Sequence, residues 1–371
     1  MPVSRRAILG AGAVTAGVAF GSSLFARELS ERLPPVFGPA EGIARLNRNE
    51  NPYGPAPSAV MAIAEAAKMG CYYAEGPNQA LTEMIAKRFG LGTDQVILGS
   101  GSTELLTSAA QAWGATGSII CPELFWDATV GYAADKGAKV RRVALTDDMH
   151  IDLEATAAAI GPDVSLVHIC NPNNPTGLTL DGDALRGFIR KVGPKTTVLV
   201  DEAYIELTDD PEYSSMLDMV REGHNLIVTR TFSKIYGMAG LRVGYAMGRP
   251  DLIERIRRYA IPFSLNEAGA AGALASFNDE GFTAFSRGKI LEARGILLDA
   301  VKSAGLTALK SQTNFLYVKV PDANRLQKAM ADQKIEIRPA YGKWINWSRV
   351  STGKIEDVER YAQALPMALK A

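Results

Sequence analysis

From Gln95 to Gly248 the chain is a series of short, unbroken apolar runs set between amphipathic stretches. The runs are "QVILG", "GSIICP", "AKVRRVAL", "VSLVHICNP", "TTVLVDEAY", "NLIVTRT" and "RVGYAMG". Runs that stay apolar, rather than alternating, mark strands covered on both faces, as in a mostly parallel sheet. Between them "WDATVGYAADKGA", "DLEATAAAIG" and "LDGDALRGFIRKVG" carry apolar residues at helical spacing, and "PSAVMAIAEAAKMG" and "NQALTEMIAKRFG" precede the first strand. Strands and helices in alternation predict a doubly wound α/β domain of roughly 200 residues. Beyond Pro262 the pattern changes to long helices, then strands at "TNFLYVKV", "IEIRPA" and "SRVSTG" and a last helix. The expected organisation is a large domain over 57–262, a smaller C-terminal α+β domain over 263–371, and a Pro- and Gly-rich arm over 27–56 packing with the small domain.

The first 26 residues differ in kind. "MPVSRRAILGAGAVTAGVAFGSSLFA" has paired arginines (Arg5, Arg6), an apolar small-residue run and then further small residues, the order of an export leader. The "SRRAIL" start resembles a twin-arginine signal, so residues 1–26 are expected to engage the twin-arginine translocase and send the protein to the periplasm. If the leader does not function, the protein stays cytoplasmic. The apolar run is shorter than the roughly 20 residues of a spanning helix. "GAGAVTAG" lacks the preceding strand and the third glycine of a dinucleotide loop.

Composition narrows the function classes. The 371 residues are 47% hydrophobic and 22% charged, with 40 basic and 40 acidic side chains. Such a chain holds about two domains and has no basic excess for nucleic acid or an anionic membrane. Cys71, Cys121 and Cys170 form no CxxC, and His150, His168 and His224 form no HxxxH, so no metal site is expected.

Candidate chemistry collects where the apolar runs end, which is where open α/β sheets hold ligands. "TRTFSKIYGMAGLRVGY" sets Lys234 between Thr229, Thr231 and Ser233 on one side and Gly237, Gly240 and Arg242 on the other. "SGSTELL" (100–106) opens a helix with small hydroxyl residues, suited either to a phosphate or to a plain helix cap. "NPNNPTG" (171–177) makes a rigid turn that aims Asn174 at the crevice. Asp201 follows five apolar residues and needs a cationic partner, either a structural arginine or a protonated ring nitrogen. Burial and nearby cations such as Arg242 would lower the Lys234 pKa toward Schiff-base chemistry. A cofactor needing all four is pyridoxal 5′-phosphate (PLP): its aldehyde takes an amine, its pyridinium a carboxylate and its phosphate a helix N-terminus.

From Asn47 to the C-terminus the chain resembles the fold-type I PLP-dependent aminotransferases, in particular the histidinol-phosphate aminotransferase branch. "LNRNENPYGPAP", "NPNNPTG", "VDEAYIE", "RTFSKIYGMAGLRVGY" and "SRVSTG" stand in family order. The resemblance implies that Lys234 forms the aldimine and shuttles the proton, and that Asp201 holds the pyridinium proton. It implies that Tyr204 and Asn174 meet the ring's 3-oxygen and that Ser102, Thr103, Thr231, Ser233 and Arg242 hold the phosphate. Trp126 aligns with the residue that stacks on the ring. Tyr73, or Tyr72 in another register, aligns with a tyrosine that crosses a homodimer interface to the neighbour's phosphate. Arg349 would grip the substrate's anionic group with Tyr53 and Asn314 nearby, and Arg338 matches a second arginine of the histidinol-phosphate enzymes. "PAYGKWINW" is shorter and more aromatic than their usual segment. The implied activity is transfer of an amino group from an amino acid to a 2-oxo acid. Histidinol phosphate is the alternative donor, and a PLP-dependent decarboxylase or other lyase of the same fold is a further alternative. The intact Lys–Asp–Asn–Tyr set argues against a catalytically silent binding protein.

Overall fold

A computed structural model describes residues 38–370. The expected leader and the first part of the arm lie outside the described residues. Residues 38–43 belong to a separate N-terminal unit and make a turn closed by Ile43 N donating to Ala40 O at 3.1 Å. The remainder, from Ala44, holds the sheets and helices.

The strands are β1 (Ala44–Arg45), β2 (Val96–Gly99), β3 (Ser118–Pro122), β4 (Val140–Val143), β5 (Val164–Cys170) and β6 (Thr197–Asp201). They continue with β7 (Leu226–Thr231), β8 (Gly244–Gly248), β9 (Thr307–Ala308), β10 (Phe315–Lys319), β11 (Ile335–Glu336) and β12 (Trp347–Ser351). Seven form the main sheet in the order β2-β8-β7-β6-β5-β3-β4, parallel except where β8 runs against β2 and β7. Strands β6, β7 and β8 are buried throughout, as unbroken apolar runs predict. β4 departs from that expectation: it lies at the sheet edge, with Arg141 and Arg142 exposed. Charged residues there keep an open edge from pairing with another chain.

Alternate strand residues supply the two cores, as the pleat dictates. On one face Leu166, Leu199 and Ile227 pack with Leu105, Trp113 and Ile256 from the helices Gly101–Gly114 and Pro250–Arg257. On the other, Val167, Val198 and Val228 pack with Leu81, Ile85, Leu185 and Phe188. Ala270 and Ala273 of the helix Glu267–Ser276 join this second core with Phe277 just beyond it, and that helix lies on the helix Pro57–Ala67. The expected boundary at 262/263 is therefore displaced: residues 265–277 complete the large core. The change of domain runs along the 24-residue helix Glu280–Ser303, whose Ile290 packs in the large core and whose Leu297 and Val301 pack in the small one.

The small domain is an antiparallel sheet, β12-β10-β9, with β1 paired parallel to β11 beside it. Ala44 and Leu46 bury in the same cluster as Leu316, Val318, Val350 and Tyr361. Because side chains alternate, Phe315, Tyr317, Arg349 and Ser351 share the opposite face of β10 and β12.

Candidate active site

The carboxyl ends of β5, β6 and β7 meet one edge of the large sheet. Antiparallel β8 begins at that same edge, with Gly244 between Gly99 of β2 and Thr231 of β7. The loop 232–243 thus has both ends there, so Ser233, Lys234 and Arg242 are held together. Gly244 is required by close approach, since a Cβ on it would collide with the backbone of Gly101 and Ser102. Gly101 has φ +73, and a Cβ there would strike the Arg242 guanidinium. These two glycines let the guanidinium lie against the start of the helix Gly101–Gly114. Arg242 Nη1 donates to Ala239 O at 2.9 Å and Ser233 Oγ at 3.4 Å, and Nη2 donates to Ser100 O at 3.3 Å. Thr231 Oγ1 donates to Ser233 Oγ at 2.8 Å alongside. Ser100 makes no side-chain capping bond to that helix, so the cap alternative for "SGSTELL" is not realised by Ser100. With Ser102 and Thr103, the group is a cup of hydroxyls, a guanidinium and a helix N-terminus, the makings of a phosphate site.

Asp201 ends β6 and is buried. Its Oδ1 accepts from Thr229 Oγ1 at 3.1 Å. Burial pushes its pKa up to about 6, against the pull of hydrogen bonds and of Lys234. The structural-arginine alternative is met elsewhere, because Arg230 gives Nε and Nη2 to Glu202 at 3.0 and 2.8 Å. Asp201 is left facing the site, where a cationic ring nitrogen suits it.

Lys234 donates from Nζ to the carbonyl of Asn49 at 3.1 Å and lies 5.4 Å from the Tyr204 ring centroid. Its pKa is pushed down to about 8, first by burial and next by the Arg349 charge, with Glu50 and Asp201 opposing. Arg242, the expected cation, acts in the same direction more weakly. The Tyr204 hydroxyl accepts from Asn49 Nδ2 at 3.1 Å and Asn174 Nδ2 at 3.4 Å. Asn174 Oδ1 in turn accepts from Arg349 Nη1 at 2.9 Å, while Nη2 reaches Asn47 O at 2.6 Å. Arg349 Nε is buried with no partner. Arg338 is exposed at the mouth, and it and Arg349 stand 5.1 and 5.7 Å from the centroid of the Tyr341 ring.

Lys234, Asp201, Tyr204, Asn174, Ser102, Thr103, Thr231, Ser233, Arg242, Trp126, Arg338 and Arg349 line one cavity of about 540 Å³. Two larger hollows, of about 1090 and 960 Å³, contain none of these residues, so volume alone does not locate the site. Three expected residues are not in the lining. Tyr53 turns its hydroxyl to accept from Ile355 N at 2.9 Å, at the start of the last helix. Asn314 sits behind the lining, donating to Asn49 O at 3.0 Å. Tyr73 is 73% exposed and packs on Phe263 with ring centroids 4.8 Å apart. The sequence reading assigned nothing to Asn49, Asn47, Tyr341 or Cys170, all of which line the cavity. The two asparagines lie in the quoted "LNRNENPYGPAP", which was the available signal.

Residues 41–365 match the family of aminotransferases of class I and II. The chain belongs to this family. It is 37% identical over 337 residues to histidinol-phosphate aminotransferase 1 of Cupriavidus pinatubonensis, covering 89% of each chain. Against histidinol-phosphate aminotransferase of Moorella thermoacetica it is 34% identical over 328 residues, covering 87% of this chain and 84% of the relative. The crystal structure of histidinol-phosphate aminotransferase from Sinorhizobium meliloti in complex with pyridoxal-5′-phosphate superposes with a TM-score of 0.82 at 28% identity, covering 92% of this chain and 96% of that one. The fold is thus that of the fold-type I PLP enzymes, and the protein is a PLP-dependent aminotransferase. The aminotransferase cavity fits the cofactor on its own chemistry. It offers a dianion cup, a buried carboxylate without an arginine, and a lysine near its neutral form.

Proposed function

We propose that this aminotransferase takes an α-amino acid as donor, gripping its carboxylate with Arg349, and works through Lys234 on a cofactor held by the residues named above. PLP, when bound, supplies the electron sink that makes the donor's Cα proton acidic. Asp201 would hold the proton on the ring nitrogen. Asn174 and Tyr204 would hold the ring's 3-oxygen, and Trp126 would lie on the ring face. Ser102, Thr103, Thr231, Ser233 and Arg242 would anchor the phosphate, which fixes the ring against translation while bonds change. Lys234, with a pKa of about 8, would be the group that accepts and carries the proton at the donor's Cα.

The observation that carries the donor assignment is the unpartnered Nε of Arg349, buried beside Asn174. A carboxylate on the donor's Cα would satisfy it. The names of the relatives favour histidinol phosphate as a second reading, with Arg338 as the second cation for a phosphate. Incubating the PLP form with a panel of amino donors, histidinol phosphate among them, tests both by the change in cofactor absorbance. Conversion by amino acids supports the first reading. Conversion by histidinol phosphate alone replaces it with the second, and carbon dioxide release in place of an amino product replaces both with a lyase.

Two further parts of the proposal concern location and assembly. The paired arginines at positions 5 and 6 support export through the twin-arginine translocase. Guanidinium pairs are not replaced by amines, so Arg5→Lys with Arg6→Lys is expected to leave active protein in the cytoplasm. Equal periplasmic protein before and after would refute export. Tyr72, Tyr73, Ile261 and Phe263, each at least 68% exposed, form an apolar patch suited to a second copy. Sedimentation is expected to give twice the 39.7 kDa chain, and Phe263→Asp to give monomers that bind PLP more weakly. A wild type that sediments as one chain while fully loaded with PLP would refute the dimer and the reach of Tyr73.

A further inference from the structure

Asn49 lies between β1 and the helix Pro57–Ala67 and is buried, with φ 55. That left-handed backbone disfavours most side chains and admits asparagine most readily after glycine. The conformation places all the residue's polar groups on partners. Its N–H donates to Ser351 Oγ at 2.9 Å, and its carbonyl accepts from Lys234 Nζ at 3.1 Å and Asn314 Nδ2 at 3.0 Å. Its Nδ2 donates to the Tyr204 hydroxyl at 3.1 Å, and its Oδ1 accepts from Ser351 Oγ at 2.6 Å. Ser351 stands two residues beyond Arg349 on β12 and on the same face.

We propose that Asn49 is a positioning residue: it ties the Lys234 amine and the Tyr204 hydroxyl to the small-domain strand that carries Arg349, and asparagine is the side chain this requires. Aspartate would tolerate the backbone and keep the acceptor for Ser351, but it would turn an oxygen, not an N–H, toward Tyr204. Glutamine is a methylene longer and ill suited to the left-handed backbone, and alanine or glycine loses both side-chain bonds. The tether matters because a carbonyl oxygen on Nζ stabilises the charged amine. The other groups that face Lys234 are Arg349, Glu50, Asp201, Arg242 and Cys170, together with the Tyr204 ring. A shift of the Asn49 carbonyl changes the one neutral acceptor among them.

The proposal rests on Lys234 as the cofactor lysine, and its test does not need the cofactor. The full chain freed of PLP is labelled with trinitrobenzenesulfonate across neutral to alkaline pH, and labelling at Lys234 is followed by peptide mass. The wild-type midpoint is expected near pH 8. Asn49→Asp adds a buried negative charge and is expected to raise the midpoint by about one unit, a tenfold change in proton affinity. Ser351→Ala leaves Asn49 intact but loosens its carbonyl, and is expected to lower the midpoint by about half a unit. In the loaded enzyme, kcat should fall about tenfold in both while donor KM stays within about threefold, since binding groups are untouched. Opposite shifts in the two variants support the proposal. Midpoints unmoved in both, with only the melting temperature lowered, would reduce Asn49 to a structural role. Should Asn49→Asp not fold, the sign of the Ser351→Ala shift decides alone. Failure of Lys234 as the cofactor lysine would show separately, as the absence of a borohydride-fixed adduct on that residue.

Discussion

Lys234→Ala is expected to lower turnover by at least about 10⁴-fold, because one residue is asked to act both as nucleophile toward the cofactor and as the proton carrier. Among the described residues no other lysine lines the cavity. The other cationic side chains lining the cavity, Arg48, Arg242, Arg338 and Arg349, are guanidiniums rather than amines. The cup formed by Ser102, Thr231, Ser233 and Arg242 is unchanged in the variant, so PLP should still bind non-covalently. Stopped-flow measurement with a saturating donor checks this. Small primary amines added to the variant are expected to restore part of the rate, as they can enter a cavity emptied of the lysine side chain. A Lys234→Ala enzyme within tenfold of the wild type would mean that the proton is moved by another group.

Arg349→Ala is expected to reduce kcat/KM for amino acid donors about 30- to 1000-fold, the loss of roughly 2–4 kcal/mol from a desolvated charge-assisted pair. The cost has a structural part, because Asn174 Oδ1 and Asn47 O lose their donor at 2.9 and 2.6 Å. The spectrum of bound PLP should nonetheless persist, since Arg349 stands on β12 of the small domain and not in the phosphate cup. Arg349→Lys should recover little, as an amine cannot present two parallel N–H groups to a carboxylate. Arg338→Ala separates the donor readings. Exposed at the mouth, it should change amino acid turnover only modestly. If histidinol phosphate is the donor, its loss should remove the preference for phosphorylated over unphosphorylated histidinol. An Arg349→Ala enzyme with unchanged kcat/KM on every accepted donor would show that the anion is bound elsewhere.

Much of this site is legible in the sequence because strand ends are easy to find. An apolar run that stops at Asp201 or Cys170 marks a sheet edge, and the residues just beyond it must face the crevice. That logic brings Lys234, Asp201, Asn174 and Arg242 together without coordinates, and the family resemblance adds Tyr204. It failed where burial has a different cause. The apolar pattern groups "AKVRRVAL" with the strands covered on both faces, yet its two arginines are exposed at an edge, because the sheet ends there. The boundary at 262 followed a change in periodicity, but an alanine-rich helix can finish a neighbour's core without any change in pattern, as Ala270 and Ala273 do. Tyr53 and Asn314 hold the backbone around the site rather than lining it, a distinction that no motif carries. Asn49 is not legible in the sequence for a related reason: its contacts rest on a left-handed backbone and on partners from β12, and neither is local in sequence.

The central claim is that PLP sits in this cavity joined to Lys234. Reduction of the purified, PLP-loaded protein with borohydride, followed by proteolysis and peptide mass mapping, tests it directly. The expected result is a single phosphopyridoxyl group on the peptide that contains "TFSKIYGMAGLR", with the C–N bond at Lys234 and no label in Lys234→Ala. A protein that remains colourless after incubation with PLP, or a label carried by another lysine, would contradict the account.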